Sequence, residues 1–461
     1  MNIIPKSEIQ WLADKLGDDF GRVFSWQGRI FRAIYPGAMD RLPKLFDTGL
    51  VTQLVKGGWL VPTERTDFQL EGFAAVLEHR KAGFYTAGFE WPTSLLRDAA
   101  LAWIEINLAL LSHGLALSDG HPCNFAQIES CRPVWLDLGS LRPPQTTDQG
   151  LPQFRRFFLN PLRLIARNRR HARISHALQR TGGIEDCEML SLGDALLPRW
   201  LSPIHQLGQK IRQQFFPRPQ SAPASEAVDF STRETLLREM REELLGMTLG
   251  REETYWGTYQ SRQSLSHDQL DAPPPDQRTT AILRVMESLA SKRVIDLASN
   301  AGYFSFFAAR RGAEVLALDI DEPSVELLYA FARQDKAALP ITCAVRDITE
   351  PLTSERAIRV ERRGDLVLAL AITHHLCMVE GYTFEFVAHL LASYTTDAAM
   401  VEFMPYGRGV EGPKPDPLPE WYSLEKFLAH LRKHFATAEV VADNHERAWR
   451  ILILCRGARH A

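Results

Sequence analysis

The chain has few cysteines, little net charge and no long apolar segment in its 461 residues. Its six cysteines form no CxxC pair and no regular disulfide spacing, which favours a reducing, cytoplasmic setting. A net charge of -3 excludes the broad positive field typical of proteins that bind nucleic acid. No run of about 18 apolar residues occurs and the N-terminus lacks an apolar signal core, so we expect no membrane insertion.

The chain contains enough apolar residues for more than one hydrophobic core. An apolar content of 45% in a chain of this length predicts two or three domains. Breaks rich in proline and small residues occur at residues 216–225 and 271–276. We therefore predict an N-terminal domain at residues 1–215, a linker and helical cap at residues 216–276, and a C-terminal domain at residues 277–461.

The most informative segment is VIDLASNAGYF (residues 294–304), which is followed by VLALD (residues 315–319). In both, an apolar run leads to an acid, and the two acids, Asp296 and Asp319, lie 23 positions apart. A turn of small residues and an amphipathic stretch separate them. This is the pattern of the opening βαβ unit of a doubly wound sheet, where ligands bind beyond the carboxyl ends of the strands. An acid at the end of the second strand can accept hydrogen bonds from a ribose diol.

Further apolar runs continue the alternation to the end of the chain. They lie at residues 340–347, 365–372, 400–404, 440–442 and 449–455. Helical patterns separate several of them, at residues 324–334, 383–394 and 423–434. We therefore predict an α/β fold with a C-terminal, doubly wound Rossmann-like sheet.

The segment at residues 294–304 resembles the first motif of class I S-adenosylmethionine (SAM)-dependent methyltransferases, which reads acid-x-Gly-x-Gly-x-Gly. Only Gly302 remains of the three glycines, because Ala298 and Asn300 replace the others. Alanine still allows close backbone approach, and asparagine tolerates a positive φ. A nicotinamide-binding unit is the rival interpretation, but its pyrophosphate requires the glycines. The resemblance implies a terminal antiparallel hairpin. It also implies SAM contacts from Asp296, Ala298, Asn300, Gly302, Tyr303, Phe304, Asp319, Ile320, Asp347, Ile348 and Leu370.

A second pattern lies in the N-terminal half. Asn124 follows Asp119 by five residues, and Asp137 ends an apolar run 13 residues further on. This spacing matches the catalytic and metal loops of protein kinase-like folds, and we predict an α+β kinase-like domain with a long helix at residues 94–113. In such folds the first Asp orients an acceptor hydroxyl, while Asn and the second Asp hold magnesium on the phosphates of ATP.

Two absences weaken an active-kinase interpretation. Residues 1–90 contain no GxGxxG loop and no strand that identifies a phosphate-binding lysine. A pseudo-kinase or substrate-docking module is therefore favoured, and Asn124 and Asp137 would hold Mg²⁺ only if the site is active. In the simplest alternative, Asp119 and Asn124 only cap neighbouring turns.

Taken together, the halves resemble a bacterial family of about this length that joins a kinase-like region to a class I methyltransferase. Some of its members are related to nodulation proteins. The matching elements are residues 89–92, 119–124, 133–141, 294–304 and 370–376. They cover both halves, and they imply an architecture and a cofactor without naming a methyl acceptor.

Candidate catalytic residues follow the fourth and fifth predicted strands of this domain. A neutral imidazole of His374 or His375 could take a proton from the acceptor, or the histidines could merely pack and bind. Glu402 is a second candidate base, unless it pairs with a buried cation. A third ligand with suitable spacing is absent, so we expect no metal site here.

Residues 154–180 carry eight arginines and no acid. Such a surface could receive an anionic acceptor, or it could be a solvated helix face. Arg155 and Arg156, which lie beside aromatic residues, are the candidate anion-binding pair.

Three functional hypotheses result. The leading one is a SAM-dependent methyltransferase that modifies a hydroxyl, amine or phosphate of a small or glycan-like acceptor, with the kinase-like half as scaffold or docking module. The alternative is a bifunctional enzyme that also uses ATP and Mg²⁺ to phosphorylate the acceptor before methylating it. The third is a SAM-binding regulator without catalysis.

Overall fold

A computed structural model describes residues 2–12, 19–145, 148–168, 172–189, 230–250, 253–261, 276–353, 362–407, 418–444 and 449–459. The predicted domain boundary at residue 215 and the break at residues 216–225 lie outside the described residues, as does nearly all of the break at residues 271–276. None of the described helices is both long and apolar enough to cross a membrane.

The N-terminal half contains a five-stranded antiparallel sheet. A short parallel pair, β1 (Asn2–Ile3) and β6 (Phe68–Gln69), is separate from it. The sheet itself has the spatial order β2-β3-β4-β7-β5. Its strands are β2 (Gln10–Trp11), β3 (Gly21–Trp26), β4 (Arg29–Ile34), β5 (Thr63–Arg65) and β7 (Ala75–His79).

Helices and two short antiparallel pairs complete this half. The pairs are β8 (Ala116–Leu117) with β11 (Leu141–Arg142), and β9 (Phe125–Ile128) with β10 (Arg132–Trp135). The helices are α1 (Leu50–Lys56), α2 (Thr93–Leu111), α3 (Gly150–Phe154), α4 (Asn160–Arg167) and α5 (Ala172–Thr181), with a π-helical turn (Arg155–Leu159) between α3 and α4. The long helix predicted before the Asp119 loop is confirmed as α2, whose apolar face is buried.

Among the described residues between the two halves are the helices α6 (Phe230–Gly246) and α7 (Tyr255–Ser261). Leu237 and Met240 of α6 are buried, and its Arg241 pairs with Glu105 of α2 at 2.6 Å. Helix α6 therefore packs on the N-terminal half and does not cap a cleft in the C-terminal half.

The C-terminal half contains a seven-stranded sheet in the order β14-β13-β12-β15-β16-β18-β17. Its strands are β12 (Arg293–Leu297), β13 (Glu314–Asp319), β14 (Ile341–Val345), β15 (Gly364–Ala369), β16 (Thr395–Phe403), β17 (Phe435–Asn444) and β18 (Arg450–Ala458). The order reverses between β12 and β15, and β18 is antiparallel to both of its neighbours. This is the doubly wound sheet with a terminal antiparallel hairpin that the sequence predicts.

The helices of this half cover the sheet. They are α8 (Gln277–Leu289), α9 (Tyr303–Arg310), α10 (Glu322–Gln334), α11 (Glu350–Thr353), α12 (Phe384–Tyr394) and α13 (Leu424–His434). Side-chain oxygens of Asp276, Asp321, Thr383 and Ser423 cap four of them by accepting hydrogen bonds from first-turn amides. Strand β16 begins five residues before the apolar run that predicts it, because its polar first residues extend the pairing with β15.

The halves share part of their hydrophobic core. One cluster of buried side chains contains Trp103 and Phe158 of the N-terminal half together with Phe306 and Leu328 of the C-terminal half. A second cluster, formed mainly by the C-terminal sheet and α12, includes Phe84. The two halves therefore pack against each other through the first cluster, whereas a third cluster around Phe24 and Phe31 belongs to the N-terminal half alone.

Candidate functional site

The turn between β12 and α9 has an unusual backbone. Ala298, Asn300 and Gly302 have φ angles of 55°, 51° and 81°, so all three positions of the motif are left-handed. Alanine adopts this conformation at a steric cost of roughly 1–2 kcal/mol, which marks a strained turn at a possible functional site. At Gly302 a Cβ would also lie 2.6 Å from Leu328 Cδ1. The turn therefore has the conformation of a glycine-rich loop although only one glycine remains.

Two buried acids flank this turn. Ser305 donates a hydrogen bond of 2.6 Å to Asp296, and the amides of Asn300 and Asp321 each donate one of 2.8 Å to Asp319. Burial raises the pKa of Asp296 to about 7 and that of Asp319 to about 6. The bonds to Asn300 and Asp321 join the turn after β12 to the end of β13, at the edge where the sheet order reverses.

Other predicted cofactor residues lie at the carboxyl ends of neighbouring strands. Ile320, directly after Asp319, is an apolar side chain that is 69% exposed. Asp347 accepts hydrogen bonds from the amide and hydroxyl of Thr349, at 2.8 and 2.7 Å. The buried Ile348 accepts one at its carbonyl from the hydroxyl of Tyr394, at 3.0 Å. Together with Leu370, which follows β15, they lie along one edge of the sheet.

Aromatic side chains begin helix α9. The rings of Tyr303 and Phe304 meet edge to face at 5.1 Å between centroids. The guanidinium of Arg278 lies 5.3 Å from the centroid of Phe304, a cation–π geometry. Tyr303 and Phe304 therefore connect the turn to helix α8, which precedes β12.

The two predicted histidines lie beside a tryptophan of α7. The rings of His374 and His375 are 4.5 Å apart, and Trp256 meets His375 edge to face at 5.0 Å. The side-chain amide of Asn300 donates to the Trp256 carbonyl at 3.5 Å. Helix α7 therefore lies against both the turn after β12 and the two histidines.

Burial lowers the pKa of both imidazoles. Desolvation lowers the pKa of His374 to about 4, and the nearby His375 and Arg450 contribute smaller decreases. Desolvation also lowers the pKa of His375 below its ordinary value. Both rings are therefore neutral at physiological pH, which is the form that can accept a proton.

Glu402 is 1% exposed and bound to two arginines. Arg278 donates to both of its oxygens, at 2.6 and 2.8 Å, and Arg450 donates at 3.3 Å. Burial would raise the pKa of Glu402, but the two arginines lower it overall. A carboxylate that is ionised and held in this way is a poor general base, so the structure favours the ion-paired role.

The N-terminal half brings its three predicted residues to one cleft. The amide of Leu136 donates to the Asn124 carbonyl at 2.7 Å, which joins the Asp119–Asn124 loop to the strand before Asp137. Burial raises the pKa of the Cys123 thiol to about 11, and the carboxylates of Asp119 and Asp137 both add to this rise. Both acids therefore lie on the same side of the domain, near Cys123.

A residue that sequence reasoning missed lies in this cleft. Arg32 on β4 donates to Asp137 at 3.1 Å, and its side chain is 7% exposed. In protein kinases the phosphate-binding lysine is on the third strand, and β4 is the third strand of this sheet in chain order. A guanidinium against the Asp137 carboxylate supplies the positive charge that a magnesium ion would supply. Arg32 therefore compensates the charge of Asp137 in this structure.

The predicted anion-binding pair is engaged with acids. Arg155 pairs with Asp186 at 3.2 Å and Arg156 with Glu185 at 3.0 Å. These acids lie just beyond the arginine-rich segment, so the segment alone does not reveal them. The two pairs compensate the charge of Arg155 and Arg156, two of the eight arginines of the segment.

One known protein is similar to this chain across both halves. No protein-family model matches the chain. The chain is 27% identical over 428 residues to nodulation protein NoeA of Rhizobium meliloti (strain 1021), a match that covers 86% of this chain and 85% of that protein. The predicted resemblance to a nodulation-protein-related family is confirmed.

Solved structures match less of the chain. The bifunctional kinase-methyltransferase WbdD is 20% identical with a TM-score of 0.32, over 43% of each chain. Magnesium protoporphyrin IX methyltransferase of Synechocystis PCC 6803, with bound SAH, is 16% identical with a TM-score of 0.30. That match covers 44% of this chain and 95% of the other.

Proposed function

We propose that the chain is a SAM-dependent methyltransferase that uses its N-terminal, kinase-like half as a scaffold. The observation that carries this proposal is the turn after β12. Three left-handed residues, Ala298, Asn300 and Gly302, lie between two buried acids at the point where the sheet order reverses. Doubly wound sheets bind their ligands at that point.

The residues of this edge fit SAM. Asp319 would accept hydrogen bonds from the ribose hydroxyls, because each of its oxygens keeps a lone pair beyond the bond from a backbone amide. Ile320 would cover the adenine with an apolar side chain that is otherwise exposed, and Asp347 would bind the adenine edge. When bound, SAM supplies a methyl group on a sulfonium.

The acceptor would lie between His374, His375 and Trp256. A neutral imidazole there can take the proton of a hydroxyl or amine, and the three rings would also exclude water from the acceptor atom. The acceptor is a hydroxyl, amine or phosphate of a small or glycan-like molecule. Positioning of this group against the methyl donor supplies most of the acceleration.

The kinase-like half acts as a scaffold or docking module in this proposal. The ion pair between Arg32 and Asp137 supports this role over phosphotransfer. The bifunctional alternative requires ATP and Mg²⁺ in this cleft and therefore requires that ion pair to open.

Calorimetry with SAM and S-adenosylhomocysteine tests the cofactor, and transfer of a labelled methyl group from SAM to small-molecule and glycan extracts tests the activity. We expect binding of both ligands and a labelled product. Absence of binding would exclude the methyltransferase, whereas binding without any labelled product would favour the SAM-binding regulator.

A further inference from the structure

The segment at residues 89–92 belongs to the N-terminal half, but its acid contacts the C-terminal half. Glu90 is 2% exposed, and its carboxylate accepts a hydrogen bond from the Ala87 amide at 2.7 Å. Arg362 donates to both of its oxygens at 2.9 Å, and Arg346 donates to one of them. Burial would raise the pKa of Glu90, but the two arginines hold it below its ordinary value. Glu90 is therefore an ionised, buried link between the halves.

One partner of Glu90 lies between two predicted cofactor residues. Arg346 directly precedes Asp347, and its amide donates to the Asp319 carbonyl at 2.7 Å. Its side chain also interacts with Tyr394, whose hydroxyl binds the carbonyl of Ile348. The conformation of the loop after β14 therefore depends on a guanidinium that Glu90 holds.

The N-terminal half also holds strand β14, which is the edge strand of the C-terminal sheet. The side-chain amide of Gln127 donates to the Cys343 carbonyl at 2.8 Å and accepts from the Cys343 amide at 3.0 Å. The amides of Ser130 and Cys131 donate to the carbonyls of Leu339 and Ile341. These bonds satisfy the edge of β14 much as a further strand would.

We infer that Glu90 is a positioning residue for the adenosine end of the cofactor, so that the kinase-like half completes the SAM site. Glu90 does not touch the cofactor in this arrangement. It acts through Arg346, which fixes the loop that carries Asp347 and Ile348 against the end of β13. The inference rests on the proposed function, because it requires SAM to bind at this edge.

The test measures binding of two ligands by calorimetry in the full chain. One ligand is S-adenosylhomocysteine, and the other is 5′-methylthioadenosine, which has the adenosine part but lacks the amino-acid part. The variant Glu90→Gln keeps the shape of the side chain but removes its charge. We expect this variant to bind both ligands more weakly by the same factor of about tenfold, which is within the usual range of coupling between sites.

The matched control is Tyr329→Phe. The Tyr329 hydroxyl donates to Asp98 at 2.6 Å, so this variant also removes a buried bond between the halves, but one that does not involve the adenosine loop. We expect its affinities to stay within about twofold of those of the original chain, because it leaves the ligand edge unchanged.

The outcomes separate the inference from the proposed function. Binding of neither ligand by the original chain would overturn both. Unchanged affinity in Glu90→Gln, or an equal loss in Tyr329→Phe, would overturn the inference alone. If Glu90→Gln does not fold, Arg346→Gln takes its place, because it removes the guanidinium through which Glu90 acts while Glu90 keeps its bonds to Arg362. Native affinity for both ligands in that variant would likewise overturn the inference.

Discussion

The two clefts of this chain keep different parts of their motifs. The C-terminal cleft has lost two glycines, yet Ala298, Asn300 and Gly302 all remain left-handed. The N-terminal cleft has the two acids and the asparagine of a kinase-like site, yet Arg32 is bound to Asp137. The first therefore retains its geometry without its usual residues, and the second retains residues without the charge environment that their chemistry needs.

This difference shows which property each kind of site depends on. A turn that approaches a cofactor depends on backbone angles, and asparagine or alanine can adopt them at a moderate cost. A magnesium site depends on carboxylates whose charge is not already compensated, so one buried arginine is sufficient to change it. In both clefts, residue identity therefore predicts the site less well than the backbone angles or the charge pairing do.

The largest expected effect concerns the histidines of the C-terminal cleft. His374→Ala or His375→Ala should bind SAM normally but lose about 10²–10⁴-fold in methyl-transfer rate, the usual share of a general base. Single-turnover methylation measures this. His389→Ala is the control, because His389 stacks on His434 and not on the cleft residues. Near-native rates in both cleft variants would leave acceptor positioning as the source of the acceleration.

The second-largest expected effect concerns Asp319, the acid that we propose binds the ribose of SAM. Asp319→Asn should weaken SAM binding by about 1.5–3 kcal/mol, because it removes the charge from bonds to the ribose. Calorimetry measures the change. Asp335→Asn is the control, since Asp335 pairs with Arg310 at 3.0 Å near the other end of α10. Unchanged affinity in Asp319→Asn would show that the ribose binds elsewhere.

The pH dependence of the methyl-transfer rate tests the protonation state of the two imidazoles. With the pKa of His374 lowered to about 4, the rate should be flat above pH 6 and fall about tenfold per pH unit well below 4. The unfolded chain takes up this proton near pH 6.5, so folding stability should decrease as pH falls from 6.5 to 4. A rate that still rises between pH 6.5 and 8 would contradict a neutral buried base.

Two opposite substitutions test the turn after β12. Gly302→Ala should destabilise the chain by about 1–3 kcal/mol, because the φ angle and Leu328 both oppose a Cβ. Ala298→Gly should stabilise it by about 0.5–1 kcal/mol, because it relieves a left-handed alanine at some cost in entropy. Urea unfolding measures both. A destabilised Ala298→Gly would mean that the turn is not strained there.

The smallest expected effect is in the kinase-like cleft. ATP with Mg²⁺ should leave the melting temperature unchanged, whereas SAM at 100 times its Kd should stabilise the fold by about 2.7 kcal/mol. If a shift does occur, Asp137→Asn should abolish it, because this variant removes the carboxylate that would hold Mg²⁺. A shift in the original chain would favour the bifunctional alternative.

Local patterns predicted much of the fold. Helices α2, α10, α12 and α13 begin and end within two residues of their predicted limits, because each has a long apolar period bounded by capping residues or turns. The strands of the C-terminal sheet lie where apolar runs predict them. Their register and the extra length of β16 and β17 were not predicted, because polar residues enter a strand only through its pairing partners.

Charge pairing was the part of the site that the sequence did not predict. Glu402 lies 124 residues from Arg278, and Asp137 lies 105 residues from Arg32. Neither separation leaves a periodic signal, so a lone acid on a strand looks the same whether it is paired or not. The acids that pair with Arg155 and Arg156 likewise lie outside the arginine-rich segment.

The sequence by itself determined the order of strands and helices, the position of the turn after β12 and the resemblance to a two-part family. These depend on apolar periodicity and short motifs, which are local properties of the chain. Only the tertiary structure decided that Arg32 neutralises Asp137, that Glu402 is ion-paired and that Glu90 joins the halves. Such pairs form because burial makes an unpaired charge costly, and burial is a property of the folded chain alone.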